Sequence, residues 1–233
     1  MTAGAVYIAY GEASREEARR AILQLGKYSS LPIIVIGESV SGAHHIMPFD
    51  DRDSKGRWAK LNLYKLSPFS MTLYMDADTL VKQDIDRIFC PVHEGFDMAI
   101  APSTSQGSKW LWHLSDEERS ETVSGVALQG GVFVFGRSPR LEAFFEEWKR
   151  QWLQWQGPDQ GAMLRALWKV PLKLWLLGSP WNGGAIIGHN FSNKGKHLWK
   201  DYRKRLDEGT HRHLRVEKFL DSGPVGSPSD TVQ

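Results

Sequence analysis

Two apolar runs flanking an amphipathic stretch, all within the first 37 residues, constrain the fold more than any other feature of the chain. Ala5–Tyr10 (AVYIAY) is short, apolar and rich in β-formers, and it ends at Gly11. Ser14 then precedes REEARRAILQL, with Glu17 three residues on. This capping-box pattern predicts a helix opening at Ser14, with Ala18, Ala21, Ile22 and Leu25 on its apolar face. Leu31–Ile36 (LPIIVI) is a second strand of the buried type, closed by Gly37. Strand, helix and strand at this spacing make a βαβ unit, so the two strands should be parallel with a right-handed crossover.

The rest of the chain extends the alternation. Residues 39–57 are polar and carry no clear period, a helix is expected over Arg57–Leu66, and Pro68 ends it. Met71–Met75, Asp97–Ala101, Gly131–Phe135 and Lys173–Leu177 read as further strands, and Glu142–Trp155 and Asp159–Trp168 as helices. The expected fold is α/β, a single Rossmann-like domain with a mostly parallel central sheet and helices on both faces.

Composition narrows the class. At 233 residues the chain can bury a large core without staples, and its 41% hydrophobic and 24% charged residues are ordinary globular usage. A single cysteine, Cys90, excludes an intramolecular disulfide and fits a reducing compartment. The N-terminus has no signal-like segment, and the longest apolar runs are about six residues against the roughly 20 needed to span a bilayer, so a soluble cytoplasmic protein without a membrane span is expected. The net charge of +2 is an average. Residues 1–193 hold 20 basic and 21 acidic side chains, whereas residues 194–218 hold nine basic and four acidic. That segment is either a solvated face or a patch attracting a polyanionic acceptor. Residues 219–233 are expected to form a disordered tail. Ten tryptophans are an excess. Trp148, Trp152 and Trp155 share a helical stripe and read as core, while Trp110 and Trp112 lie in a polar stretch suited to stacking a sugar or base.

The run Thr72-Leu-Tyr-Met-Asp76-Ala77-Asp78-Thr79 carries the chemistry. Two carboxylates sit one residue apart at the carboxyl end of an expected buried strand, where open α/β sheets bind ligands. In extended backbone they face the same side and can share a hard cation, Mg²⁺ or Mn²⁺, of the kind that bridges to phosphates. The alternative is a polar turn that merely follows a strand.

The ordered set of motifs resembles nucleotide-sugar glycosyltransferases of the GT-A fold, and is most similar to family 8, the retaining enzymes that include glycogenin and bacterial galactosyltransferases. The resemblance rests on Arg57-Trp-Ala-Lys60-Leu before the strand, Asp76-Ala-Asp78-Thr79, Gln129-Gly-Gly-Val-Phe-Val-Phe, Asp159-Gln160-Gly161, and His189…Lys194-Gly-Lys196…Trp199. It covers roughly residues 5–199, within a catalytic domain expected over 1–218. Gln129 stands where the family has Asn, and His197 where Pro is common.

The resemblance implies a transferase that uses a UDP-sugar donor with Mn²⁺ or Mg²⁺. Asp76, Asp78 and His189 would be the metal ligands. Lys194 or Lys196 would neutralise diphosphate charge. Arg57 and Lys60 would contact the donor, unless they lie on a solvated helix face. Asp159, Gln160 and Gln129 would flank the reacting sugar carbon, with a helix N-cap as the plainer role for Asp159. Ala9, Tyr10 and Gly11, with Glu12 a weaker candidate, would receive the base, beside Ala77. The acceptor is left open among saccharide, protein and modified nucleic acid. Two rivals remain: a non-catalytic sugar- or nucleotide-binding module of this fold, and a haloacid-dehalogenase-like phosphatase. The latter normally has Thr or Val four residues after its first Asp, where this chain has Leu80.

Overall fold

Nearly every residue of the first two strands is apolar because both faces of the sheet are covered. The computed structural model describes residues 2–49, 56–103, 128–155 and 159–189, all within one compact unit, Met1–His189. In chain order the elements are β1 (Ala3–Ala9), α1 (Gly11–Leu25), β2 (Ile33–Gly37), β3 (His45–Met47), α2 (Arg57–Leu61), α3 (Leu63–Leu66), β4 (Met71–Met75) and β5 (Thr79–Val81). They continue with α4 (Cys90–His93), β6 (Met98–Pro102), β7 (Leu128–Phe135), α5 (Pro139–Trp155), α6 (Asp159–Lys169), β8 (Leu174–Leu176) and β9 (Ile187–His189).

Seven strands form one sheet in the order β3-β2-β1-β4-β7-β6-β8. The β3–β2, β2–β1, β1–β4 and β6–β8 pairs are parallel, and only the two pairs made by β7 are antiparallel. The expected βαβ unit is present, with Ala5 opposite Ile33 and Ala9 opposite Gly37.

Alternation along each strand feeds two cores. Ala5, Tyr7 and Ala9, with Ile33, Val35, Leu73, Met75, Val132 and Val134, pack against α1 and the 3-10 turn Asp86–Phe89. Val6, Ile8, Ile34, Ile36, Tyr74, Phe133 and Phe135 face the opposite way, onto α2, α3, α5 and α6. This second core is aromatic. Trp148 is fully buried among Phe133, Phe144 and Phe145, with ring centroids 5.7–6.3 Å away. Its indole N–H donates to the Asp159 carbonyl at 2.8 Å. Trp152 is also buried, so the expected stripe holds for both residues whose side chains are described.

Three local expectations differ from the structure. α1 opens at Gly11 rather than at Ser14, and Tyr10 at its N-cap makes no side-chain cap hydrogen bond. The Gly11 N–H instead donates to Glu38 Oε1 at 2.9 Å, so the cap comes from the end of β2, a non-local partner. The helix over 57–66 breaks at Asn62, whose side-chain amide donates to the Trp58 carbonyl at 2.7 Å. The segment 39–57 contains a short edge strand, β3. Trp110, Trp112, Trp199, the basic segment 194–218 and the tail 219–233 lie outside the described residues.

Replacing Trp148 with Ala is expected to cost about 3–5 kcal/mol in urea unfolding, the usual toll of a buried aromatic. Trp148→Phe keeps most of the volume and removes one of two bonds to the Asp159 carbonyl, which still accepts within its helix, so about 0.5–1.5 kcal/mol is expected.

Candidate active site

β4 ends at Met75 and the chain turns at once. The Asp76 N–H donates to the Gly131 carbonyl on β7 at 2.8 Å, and Thr79 returns both its N–H and its hydroxyl to the Asp76 carbonyl, at 3.1 and 2.8 Å. The turn sets Asp76 and Asp78 at the carboxyl edge of the sheet and leads into β5. β5 pairs antiparallel with β9, with Thr79 opposite His189. This two-stranded sheet brings a residue 111 positions downstream of Asp78 against the carboxylate pair. His189 Nε2 lies 3.1 Å from Asp78 Oδ1 and 3.6 Å from Asp76 Oδ2. The three side chains each offer a ligand atom, all within 4.8 Å of one another.

Asp76 is held from behind. The Tyr74 hydroxyl donates to its Oδ1 at 2.6 Å, and Lys60 Nζ lies 3.1 Å from the same oxygen. Lys60 comes from α2. It also donates to the Gly130 carbonyl at 3.1 Å, approaches Asp159 Oδ2 at 3.3 Å and sits 5.0 Å from the Tyr74 ring centroid. Burial alone would push Asp76's carboxyl up, but Lys60, His189 and the Tyr74 hydrogen bond outweigh it, and the group sits below its ordinary value. Burial alone would lower Lys60's ammonium, yet Asp159 and Asp76 hold it well above the usual lysine range. Burial, with Asp76 beside it, raises the Tyr74 phenol well above 10, so it remains a donor.

Gly131 is where β7 passes the imidazole. A Cβ there would lie 2.0 Å from His189 Cε1 and 2.8 Å from Asp76 Oδ2, so no side chain fits.

A cleft of about 290 Å³ opens beside this cluster, and its lining includes Tyr10, Arg57, Lys60, Asp76, Ala77, Asp78 and Asp159. These expected site residues thus come together, with Arg57 exposed at the rim. Others stand apart from the cleft wall. Ala9 is fully buried at the end of β1, Gly11 is exposed at the start of α1, and Glu12 lines a different depression on α1. Gln160 donates to Gln129 Oε1 at 3.2 Å, joining α6 to β7 next to Asp159 and Gly130. Lys194 and Lys196 lie outside the described residues. Leu80, where the phosphatase reading needs a functional side chain, is buried in β5. Sequence reasoning passed over Tyr74 and Asn182. The first was findable, because a residue two before Asp76 on a strand shares its side. The second carries no local signal.

No protein-family model matches the chain, and no curated protein matches it by sequence. Solved structures do match. The bifunctional glycosyltransferase WbbM superposes with a TM-score of 0.58 at 17% identity, over 78% of this chain and 40% of that one. The chain carries the GT-A glycosyltransferase fold. The glycosyltransferase GlyE of Streptococcus pneumoniae TIGR4 gives 0.57 at 16% identity, over 98% of this chain and 66% of that one. The galactosyltransferase LgtC, solved with donor and acceptor sugar analogues, gives 0.50 at 13% identity, over 76% and 74%. The chain therefore spans less than half of WbbM and just under two thirds of GlyE. Within this GT-A fold the cleft lies at the carboxyl ends of β1 and β4, where doubly wound sheets bind ligands.

Two variants test the site's construction. Gly131→Ala is expected to displace the His189 ring and cost about 1–3 kcal/mol by overpacking, read by thermal or urea unfolding. Lys60→Met leaves Asp76 and Asp159 without their cation, and a loss of roughly 3 kcal/mol is expected. The pH sign follows from Asp76. With its pKa lowered in the folded protein, its contribution is present above the ordinary carboxylate value and is lost as pH falls through the lowered one. Without Lys60 burial dominates and the folded state favours protonated Asp76, so the deficit of Lys60→Met relative to wild type should be largest near neutral pH and shrink as pH falls.

Proposed function

We propose that the protein is a metal-dependent glycosyltransferase of the hexosyltransferase class, moving a sugar from a nucleotide-diphosphate donor, a UDP-sugar, to an acceptor with retention at the anomeric carbon. The observation that carries this reading is the cluster of Asp76, Asp78 and buried His189, whose two carboxylates line a cleft shared with Lys60, Arg57 and Asp159, within a GT-A fold. The donor set fits the group. Two carboxylate oxygens and one imidazole nitrogen suit Mn²⁺ or Mg²⁺, and Lys60 engages only the Oδ1 side of Asp76, leaving Oδ2 toward His189.

When bound, the cation supplies Lewis-acid neutralisation of the departing diphosphate. The chain's own groups do the remainder. Asp76, Asp78 and His189 hold the cation, and Tyr74 keeps Asp76 oriented as its ligand oxygen by donating to the opposite one. Arg57 at the rim is placed to meet phosphate or sugar oxygens, and Lys60 to meet the sugar from below. Asp159, with the Gln160–Gln129 pair beside it, presents a carboxylate toward the side where the anomeric carbon would lie. Tyr10 and Ala77, which line the cleft, would frame the base end, with Ala9 and Gly11 setting the backbone on either side of Tyr10. Lys194 or Lys196 completes charge neutralisation. The acceptor is a saccharide, a protein or a modified nucleic acid, the last drawn by the basic segment 194–218. Among the described residues no helix is long and apolar enough to cross a membrane. The retaining outcome is supported by the motif resemblance.

Incubation with a panel of nucleotide sugars should give hydrolysis that depends on Mn²⁺, with UDP-sugars preferred. Asp78→Ala should reduce this by 100-fold or more. Equal turnover by that variant, or turnover indifferent to chelator, would refute the metal assignment. The anomeric proton of the first transfer product, followed by NMR, should show the donor's configuration.

A further inference from the structure

His189 has two ring nitrogens, and only one can serve a cation in the cleft. Nε2 faces Asp78 and Asp76 at 3.1 and 3.6 Å. Nδ1 lies 2.7 Å from the side-chain oxygen of Asn182. A carbonyl oxygen only accepts, so the ring proton belongs on Nδ1 and the lone pair on Nε2. The geometry points to Asn182 as a positioning residue for the metal centre: its Oδ1 fixes the tautomer and ring plane of His189, holding Nε2 ready as a ligand. This rests on the reading of Asp76, Asp78 and His189 as a divalent-cation site.

The surroundings make the pairing a built one. Asn182 and His189 are 6% and 3% exposed, so water does not compete for Nδ1. Asn182 follows the 3-10 turn Ser179–Trp181, and that segment is stitched to β9 by backbone bonds: the Gly183 and Gly184 N–H groups donate to the Ile187 carbonyl at 2.8 and 3.0 Å, and the Ile186 N–H to the Pro180 carbonyl at 2.9 Å. Lys82, just beyond β5, clamps the same loop by donating to the Gly184 carbonyl at 2.6 Å. Asn182 therefore rides on the strand pair that carries His189. Gly131 closes the other side, where a Cβ would lie 2.9 Å from Nδ1. The ring is confined between the two.

The amide nitrogen of Asn182 is buried with no hydrogen-bond partner. An unpaired buried donor disfavours folding, so its packing gives no reason for an amide here. The oxygen on Nδ1 does give one. A metal-bound imidazole whose second nitrogen donates to a fixed acceptor is held in one tautomer and orientation, and loss of such an acceptor weakens metal binding roughly 10–100-fold.

The test uses the full chain without nucleotide. Free Mn²⁺ is titrated by electron paramagnetic resonance in wild type, Asn182→Leu, Asn182→Asp and His189→Ala. In parallel, long-range ¹H–¹⁵N spectra of histidine-labelled protein with Mg²⁺ report which His189 nitrogen carries the proton. Asn182→Leu should weaken Mn²⁺ roughly 10–100-fold. Asn182→Asp, which accepts the same hydrogen bond, should restore binding. Wild type and Asn182→Asp should both show Nδ1–H. A proton on Nε2 in the Mg²⁺-loaded wild type overturns the proposal, as does wild-type affinity in Asn182→Leu when His189→Ala binds weakly. Unchanged affinity in His189→Ala would overturn the metal-site reading itself, and the proposal with it. Should the Leu variant not fold, the spectra of wild type and Asn182→Asp decide.

Discussion

The ammonium of Lys60 is the point through which four elements meet. It rises from α2, pairs with Asp76 at the end of β4, donates to the Gly130 carbonyl on β7 and faces Asp159 at the start of α6. With 12% of the side chain exposed, the charge is largely out of water, so it needs partners on every side. Those partners are the residues that shape the cleft. Without the cation, two carboxylates and a carbonyl would converge with only the Tyr74 hydroxyl, on Asp76, as a donor among them. The polar floor of the site is thus also the joint that ties β4, β7, α2 and α6 together.

The two cores divide the work. The face toward α1 is built mainly of small and aliphatic side chains, with Tyr7 and Phe89 among them, while the face toward α5 and α6 is dominated by aromatic ones. The aromatic side carries the chemistry's supports. Tyr74 belongs to it and reaches Asp76, and Trp148 belongs to it and holds the Asp159 backbone. Part of the tryptophan excess is explained here: large rings fill the core, and their polar handles fix groups at its edge. Trp168 and Trp175, by contrast, are 60% and 48% exposed.

The parallel half of the sheet was legible in the sequence, because β1, β2 and β4 are apolar runs whose length and spacing admit little else. So was the carboxylate pair, which falls directly after β4 as expected. β5 and β9 were not, since three-residue strands have no period to read and their pairing is a long-range event. For that reason the expectation that His189 joins the carboxylates rested on motif resemblance rather than on the residues. The cap on α1 failed as a local inference for a related reason: Ser14 and Glu17 have the spacing of a capping box, but Glu38, 27 residues from Gly11, supplies the acceptor. Asn182 is invisible at the sequence level because its role exists only once a loop has folded back on β9.

Charge decides how such a cleft can bind a diphosphate. Its lining carries four carboxylates, Glu17, Asp76, Asp78 and Asp159, against two cationic side chains, Arg57 and Lys60. Lys60 is already engaged by Asp76 and Asp159, and Arg57 stands at the exposed rim. A polyphosphate meeting these described walls alone meets an excess of two negative charges, which like-charge repulsion disfavours. On the proposed reading, a divalent cation at Asp76, Asp78 and His189 would cancel that excess and remove the net repulsion, leaving the ion itself as the local attraction for phosphate oxygens. The order of events then follows from electrostatics. Under the proposed function the cation would load first on a site already shaped by Lys60, Tyr74 and Gly131 and the anionic donor would follow, so that donor affinity without the ion should be a small fraction of its value with it.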